Sequence, residues 1–169
     1  MKALKTSRLI IDEMTLADAL FILEILNDAD FIRYVADRGI RTEERAKEYL
    51  TDRVMVSYKE HGFGMAAVRL KDSRKIIGMC GLIKRDSLQD VDIGYGFLPS
   101  ARGQGYAREA VEAVLAMGRK DFGLKRIAAI IHPENRPSRA LAESVGMQLD
   151  SMIRLTPDDD EICLYLVDT

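Results

Sequence analysis

The stretch FLPSARGQGYA, residues 97–107, joins an apolar strand to a helix through a glycine-rich turn. Gly103 and Gly105 lack the Cβ atoms that would keep a ligand away from the backbone. The first amides of a helix have no acceptor inside it, and together with the helix dipole they form an anion site. The apolar residues that follow recur at helical spacing, so this helix can pack on a sheet: Ala107, Ala110, Val111, Val114, Leu115 and Gly118. The stretch therefore predicts a diphosphate-binding turn on a strand–turn–helix unit.

Nucleotide-binding motifs do not explain this turn. The chain has no G-x-x-x-x-G-K-[ST] run of the kind that a Walker loop requires. A dinucleotide G-x-G-x-x-G run fails twice, because Arg108 ends the run that starts at Gly103 and Pro99 ends the run that starts at Gly94. The pattern that fits is R-x-x-G-x-A, at Arg102, Gly105 and Ala107.

This pattern resembles the pyrophosphate loop of the GNAT N-acetyltransferase superfamily, which binds acetyl-CoA. Other stretches resemble the same family in the same order. Residues 92–99, DIGYGFLP, are similar to its fourth-strand motif E-I-G-Y-x-L-x-P, and residues 135–138, NRPS, are similar to its N-x-x-S segment. Val145-Gly146-Met147 matches the end of its fourth helix, and Arg8-Leu9-Ile10-Ile11 resembles the opening strand of the branch of ribosomal-protein N-terminal (alanine/serine) acetyltransferases.

The predicted fold is one α/β domain over residues 1–169, with a mixed α+β sheet. Periodicity and turn signals give the order β-α-α-β-β-β-α-β-α-β-β, with Thr15 and Thr42 as helix N-caps and Gly62 as a helix end. Hairpins around one strand–helix–strand crossover predict a mixed sheet with helices on both faces. The resemblance implies a GNAT-like fold in which the fourth and fifth strands splay apart and hold the pantetheine arm in the gap.

Composition narrows the class of protein further. Of the 169 residues, 47% are hydrophobic and 31% are charged, which is typical of a soluble globular domain. The net charge of −2 argues against nucleic acid and anionic membranes as partners. No spanning segment, signal peptide or metal-ligand spacing is present, so we expect a cytoplasmic protein that needs no metal. Cys80 and Cys163 lie in strand-like segments and are expected to be buried, unreactive thiols.

The resemblance implies which residues contact acetyl-CoA. Backbone groups on the fourth strand would hold pantetheine like an added strand. The glycine turn would hold the diphosphate, mostly through main-chain groups, so the Gln104 and Tyr106 side chains are expected to be dispensable. Asn135 would bond the pantetheine amides, and its alternative is a turn residue. The expected cofactor-binding residues are Tyr95, Gly96, Phe97, Leu98, Arg102, Gly103, Gln104, Gly105, Tyr106, Ala107, Arg108 and Asn135.

Acetyl transfer to an amine also calls for a base and an acid near the gap. Asp92 occupies the position where the related branch often has a glutamate, and we predict it as the general base, acting through water. Its alternative is a solvated carboxylate, with Asp90 as the fallback. Ser138 matches the serine of N-x-x-S and is the predicted proton donor to the thiolate, while its alternative is a helix N-cap. His132 follows the fifth strand, where a structural role is the more common one.

The sequence thus predicts an acetyl-CoA-dependent N-acetyltransferase that uses direct transfer. Its alternative is a catalytically silent acyl-CoA-binding sensor module. The resemblance implies that the acceptor site is shaped by residues 28–41 and 156–161, of which the first segment carries three arginines and the second is acidic. A peptide N-terminus, a polyamine and an aminoglycoside-like amine remain open as acceptors, and so does a homodimer.

Overall fold

A mixed eight-stranded sheet forms the centre of the computed structural model, which covers residues 1–169. Neighbouring strands pair in the order β1-β2-β3-β4-β5-β6-β8-β7, and every pair is antiparallel except β5 with β6. The strands are β1 (Leu4–Lys5), β2 (Leu9–Glu13), β3 (Met65–Leu70), β4 (Ile76–Ile83), β5 (Asp92–Phe97), β6 (Arg126–Ile131), β7 (Gln148–Ile153) and β8 (Ile162–Asp168).

Six α-helices connect these strands: α1 (Ala19–Leu26), α2 (Ala29–Tyr34), α3 (Glu43–Tyr49), α4 (Met55–His61), α5 (Tyr106–Phe122) and α6 (Arg136–Ser144). Thr42 caps α3 by accepting a hydrogen bond from the amide of Arg45, and Gly62 ends α4 with a φ of 76°. Thr15 caps a 3-10 turn, Leu16–Asp18, which leads into α1. The two predicted N-caps and the predicted helix end are therefore confirmed.

Side chains of alternating strand residues pack into two hydrophobic cores, one on each face of the sheet. Ala66 and Cys80 pack with the buried side of α5, while their neighbours Ala67 and Met79 pack with α1 and α3. This period-2 alternation is what a sheet covered on both faces requires. The expected mixed sheet with helices on both faces is confirmed, and both cysteines are buried free thiols.

β5 and β6 splay apart near the centre of the sheet. β5 stays paired with β4 from Asp92 to Phe97, but its parallel pairing with β6 is confined to Asp92 and Ala128. Beyond that point the two strands diverge and leave a gap that opens toward the end of β5. The glycine turn lies at the open end of this gap, because residues 99–105 follow β5 directly.

Three elements were not expected from the sequence. β1 is two residues long, and a π-helical turn, Leu50–Val54, joins α3 to α4 inside what the sequence predicts as one helix. The third element is α2, which lies within a segment taken only as an acceptor loop. None of the helices combines the length and the apolar character needed to cross a bilayer.

Candidate active site

A cavity of about 480 Å³ lies beside β5, where the gap between β5 and β6 opens. This volume is within the usual range for a small-molecule site. Its walls come from β5, the glycine turn, the starts of α5 and α6, and α2 on the other side. Most of the residues predicted from the sequence line it together: Tyr95, Gly96, Phe97, Arg102, Gly103, Gly105, Tyr106, Ala107, Arg108, Asn135 and Ser138.

The glycine turn leaves the start of α5 open to a ligand. Gly103 and Gly105 have φ angles of 73° and 80°, a region that strongly favours glycine. Gly105 is the N-cap of α5 and carries no side-chain cap, so no side chain competes for the first helical amides. A Cβ atom at Gly103 would meet no other atom within 4 Å. The turn therefore offers unblocked backbone donors at a positive helix end, which suits a diphosphate.

Arg8, which was not singled out from the sequence as a site residue, braces this turn from outside. Its guanidinium donates to the carbonyl oxygen of Gln104 at 2.9 Å and to Glu109 at 2.7 Å, and it lies over the Tyr106 ring. Desolvation opposes ionisation of Glu109, but hydrogen bonds from Thr6 and Arg8 outweigh it and lower the Glu109 pKa. Only the opposite charges hint at the Arg8–Glu109 pair, because its partners are 101 residues apart.

Arg102 makes contacts that the sequence did not predict. Its Nε donates to the carbonyl oxygen of Phe97, and its two terminal nitrogens reach Asp28 and Asp30 at 2.6 and 2.7 Å. Both aspartates line the cavity. The Phe97 carbonyl, which was expected to face pantetheine, is therefore already an acceptor for Arg102.

Tyr95 and Ser138 meet across the gap. The Tyr95 hydroxyl lies 2.9 Å from Ser138 Oγ and 3.1 Å from the Ser138 carbonyl oxygen. Burial raises the pKa of Tyr95 to about 12, although its hydrogen bond to Ser138 opposes the shift, so the phenol stays protonated at neutral pH. The cavity thus contains two linked hydroxyls that can donate a proton.

Asn135, not Ser138, is the N-cap of α6. The Asn135 Oδ1 atom accepts from the Ser138 amide at 3.2 Å. The capping alternative for Ser138 is therefore wrong, and its hydroxyl is available for the contact with Tyr95. Because Oδ1 serves the cap, the amide Nδ2 of Asn135 is the part of the side chain left for a ligand.

Asp92 lies outside the cavity. Its side chain is 1% exposed, and its Oδ1 accepts from Arg85 Nε at 2.9 Å. The β4–β5 register contains no bulge, so Asp92 shares a face with Gly94 and Gly96 as expected. It is nevertheless at the closed end of the gap, three residues or roughly 10 Å before Tyr95 along the strand. One water molecule cannot bridge that distance, so the geometry does not support the proposed base role. Burial raises its pKa, and Arg85 opposes the shift.

Two other predicted contact residues also lie outside the cavity lining. The Leu98 side chain is buried and its amide donates to the Ile77 carbonyl, so the backbone group is committed to the fold. The Gln104 side chain donates to the Ser100 carbonyl, in line with its being dispensable for binding.

Asp90, the fallback base, and His132 both make contacts away from the cavity. Asp90 pairs with Arg126 at 2.8 Å. The His132 ring packs 5.6 Å from the ring of Tyr34, and its Nδ1 accepts from the Glu134 amide. Neither residue lines the cavity.

Comparison with known proteins gives a consistent result. Residues 8–148 match the family model described as an acetyltransferase (GNAT) domain. The chain is 31% identical over 149 residues to an uncharacterized N-acetyltransferase, YnaD, of Bacillus subtilis strain 168, covering 88% of this chain and 84% of that protein. A GNAT-family acetyltransferase structure from Bacillus anthracis superposes with a TM-score of 0.81 at 26% identity, over 99% and 98% of the two chains. The ribosomal L7/L12 alpha-N-protein acetyltransferase RimL, solved in complex with coenzyme A, has the same fold, with a TM-score of 0.84 at 14% identity and coverage of 99% and 98%.

Proposed function

Because the chain belongs to the GNAT acetyltransferase family, we propose that it transfers an acetyl group from acetyl-CoA directly onto a primary amine in the cavity beside β5. One observation carries this proposal. An uncapped helix start at Gly105 and the hydroxyl pair of Tyr95 and Ser138 line the same cavity. An anion site and a proton donor are two of the features that transfer from a thioester requires.

The residues that would hold acetyl-CoA follow from their placement. The backbone around Gly103 and Gly105 and the first turn of α5 suit the diphosphate. Arg108 also lines the cavity, and its exposed pair with Glu112 at 2.8 Å leaves its two terminal nitrogens for a phosphate. The free edge of β5 at Tyr95 and Gly96 suits the amide groups of the pantetheine arm, and Asn135 can donate from Nδ2. Acetyl-CoA supplies the thioester carbonyl carbon that the amine attacks.

The chain supplies a proton through Ser138. Its hydroxyl is hydrogen-bonded to the Tyr95 phenol, which stays protonated at neutral pH. We propose that Ser138 donates this proton to the leaving thiolate while Tyr95 orients it, and the Tyr95–Ser138 hydrogen bond supports this role. The amine must lose a proton in return, and no carboxylate free of an ion pair lines the cavity. We propose that the acceptor enters as the neutral amine, and that the proton its nitrogen loses after attack returns to Ser138 through water.

α2 forms the acceptor side of the proposed site. Phe31 and Tyr34, together with Val35, line the cavity. This wall is largely aromatic and apolar, and Val35 is 55% exposed at its edge. A protein N-terminus or a small-molecule amine is the acceptor class that we propose.

The test is release of free thiol from acetyl-CoA in the presence of a panel of amines. Peptides with free N-termini, polyamines and aminoglycosides represent the open acceptor classes, and a reaction without amine corrects for thioester hydrolysis. We expect amine-dependent thiol release with at least one class and the acetylated amine as product. Tight acetyl-CoA binding without thiol release for any amine would contradict the proposal and favour an acyl-CoA-binding sensor.

A further inference from the structure

Helix α2 lies across the gap and is attached on both sides. On the β6 side, the Tyr34 ring packs 5.6 Å from His132, and Arg33 pairs with Glu134 at 3.4 Å. On the β5 side, the only polar link between α2 or its N-cap and the glycine turn is through Arg102. Phe31 also packs against the core that contains Ala67 and Met79, so Arg102 adds a polar attachment to an apolar one.

Arg102 uses every part of its guanidinium in that attachment. Nε donates to Phe97 at the end of β5, Nη1 to Asp30 in the first turn of α2, and Nη2 to Asp28, the N-cap of α2. Asp28 also accepts from the Phe31 amide at 3.3 Å, so one carboxylate both caps the helix and receives the arginine. We call this group of Arg102, Asp28 and Asp30 the Arg102 bridge.

The bridge also reduces electrostatic repulsion between its two aspartates and an anion bound at the glycine turn. Two carboxylates would repel an anion bound at the neighbouring turn, and a guanidinium between them reduces that repulsion. A planar guanidinium with a bond from each of its three nitrogens is also more rigid than a lysine could be in the same place. The arginine of R-x-x-G-x-A thus joins the turn that suits a diphosphate to the helix that forms the opposite wall.

We propose that Arg102 is a positioning residue, which ties α2 to the glycine turn and so couples the acceptor wall to the cofactor site. The assignment of these two sites rests on the proposed function. The bridge itself consists only of residues of this chain, so it can be tested without a ligand. A diphosphate would then be held by backbone amides and Arg108, while Arg102 stays with its aspartates.

Hydrogen exchange of the unliganded protein tests the bridge. Arg102→Ala removes the guanidinium, and the double variant Asp28→Asn with Asp30→Asn removes both charges while Asn keeps the cap. We expect each to speed exchange of the amides in residues 29–35 by about three- to tenfold, the scale for partly exposed ion pairs. Combining all three changes should add little, because all three act on one contact. Arg45→Ala, which breaks an exposed pair within α3, is the matched control and should leave α2 unchanged.

Calorimetry with coenzyme A separates this role from direct diphosphate binding. Arg102→Ala alone would leave two unpaired carboxylates beside the turn, so the informative comparison is between the double aspartate variant and the triple variant that also carries Arg102→Ala. Under the proposal, these two variants bind coenzyme A within about threefold of each other, because Arg102 acts only through its aspartates. A further loss of roughly tenfold or more in the triple variant would show that Arg102 binds the diphosphate itself, and would overturn the proposal. Unchanged exchange in residues 29–35 in Arg102→Ala and in the double aspartate variant would overturn it as well. Failure of the wild type to bind coenzyme A would overturn the proposed function, while the exchange result still decides the bridge.

Discussion

Ser138 shows how one residue's role depends on its neighbour three positions earlier. A serine at the start of a helix is a common cap, but Asn135 accepts the bond from the Ser138 amide and leaves the serine hydroxyl to Tyr95. The serine side chain therefore contributes little to holding α6, and its value lies in the proton that it can donate.

Ser138→Ala should separate these roles. We expect kcat to fall by roughly 10²-fold, the scale for losing a general acid, with the melting temperature nearly unchanged because the cap stays in place. Ser144→Ala is the matched control, since Ser144 is an exposed serine of the same helix whose hydroxyl bonds only to Leu141. Steady-state kinetics and thermal melting of both variants provide the check. Wild-type turnover in Ser138→Ala would remove the acid role.

Asp92 is buried at a position where desolvation disfavours its charged form. Burial raises its pKa above the ordinary value of 3.8, even with Arg85 beside it. The native state therefore holds the proton more tightly than the unfolded chain. Protonated Asp92 therefore contributes to the free energy of unfolding. This contribution is complete below pH 3.8 and is lost as the pH rises through the pKa of the folded state.

Asp92→Asn should accordingly gain stability relative to the wild type as the pH rises. Melting temperatures of both proteins from about pH 4 to pH 8 measure the difference, which should grow with pH. A flat or opposite trend would mean that the pair with Arg85 outweighs burial. We also expect turnover of Asp92→Asn to remain within a few-fold of wild type, because the carboxylate lies outside the cavity. A large loss that shrinks at high pH would restore the general-base hypothesis.

At the scale of elements, α6 begins with a residue that serves the fold and the ligand through different atoms. Asn135 Oδ1 caps the helix, and Nδ2 is left for a pantetheine carbonyl. Substitutions of Asn135 can therefore separate an effect on protein stability from an effect on acetyl-CoA affinity.

Asn135→Asp keeps the capping oxygen and removes the donor, whereas Asn135→Ala removes both. The alanine variant should lose about 1 kcal/mol of stability, and the aspartate variant almost none. For a chain of this length that loss lowers the melting temperature by about 2–4 °C. Both variants should bind acetyl-CoA more weakly by calorimetry. Full affinity in Asn135→Asp would exclude the amide from the cofactor site.

The elements that the sequence predicts well are those with local signals. Thr42, Gly62 and the apolar spacing of α5 each depend on residues within a turn or two, and the structure confirms them. α2 lacked such a signal, because it is six residues long and none of them is buried. Its two aromatic side chains, Phe31 and Tyr34, line the cavity, so only the tertiary arrangement reveals their purpose.

At the scale of the whole molecule, the core that packs with α5 continues across the gap, from Phe97 of β5 to Ile127 and Ile131 of β6. The core on the other face includes β3 and β4 but no residue of β6, β7 or β8. The cavity therefore lies where two strands diverge within one sheet, and it does not depend on a single loop. The family, the fold class and the enzyme class, N-acetyltransferase, are confirmed. The acceptor stays a proposal.

Some parts of the candidate site depend on contacts that are local in sequence, and others depend on distant contacts. The glycine turn and the asparagine–serine segment can be located from short motifs, and both line the cavity. The partners of Arg102 are more than seventy residues away in sequence, at separations of 72 and 74. The distance of Asp92 from the cavity could not be predicted for the same reason, since it depends on where β5 and β6 stop pairing.

The central claim is that acetyl-CoA binds at the start of α5, and calorimetry on two glutamate variants tests it most directly. Ala107 lines the cavity in the first turn of α5, where a glutamate suits the helix dipole and so should not prevent folding. Ala116 is exposed on the same helix, roughly 13 Å further along its axis.

We expect the wild type and Ala116→Glu to bind acetyl-CoA with the same affinity. Ala107→Glu should weaken binding by roughly 10²-fold or more, because a carboxylate would face the diphosphate in a confined site. Equal affinity of Ala107→Glu and the wild type, with both proteins folded, would contradict the account.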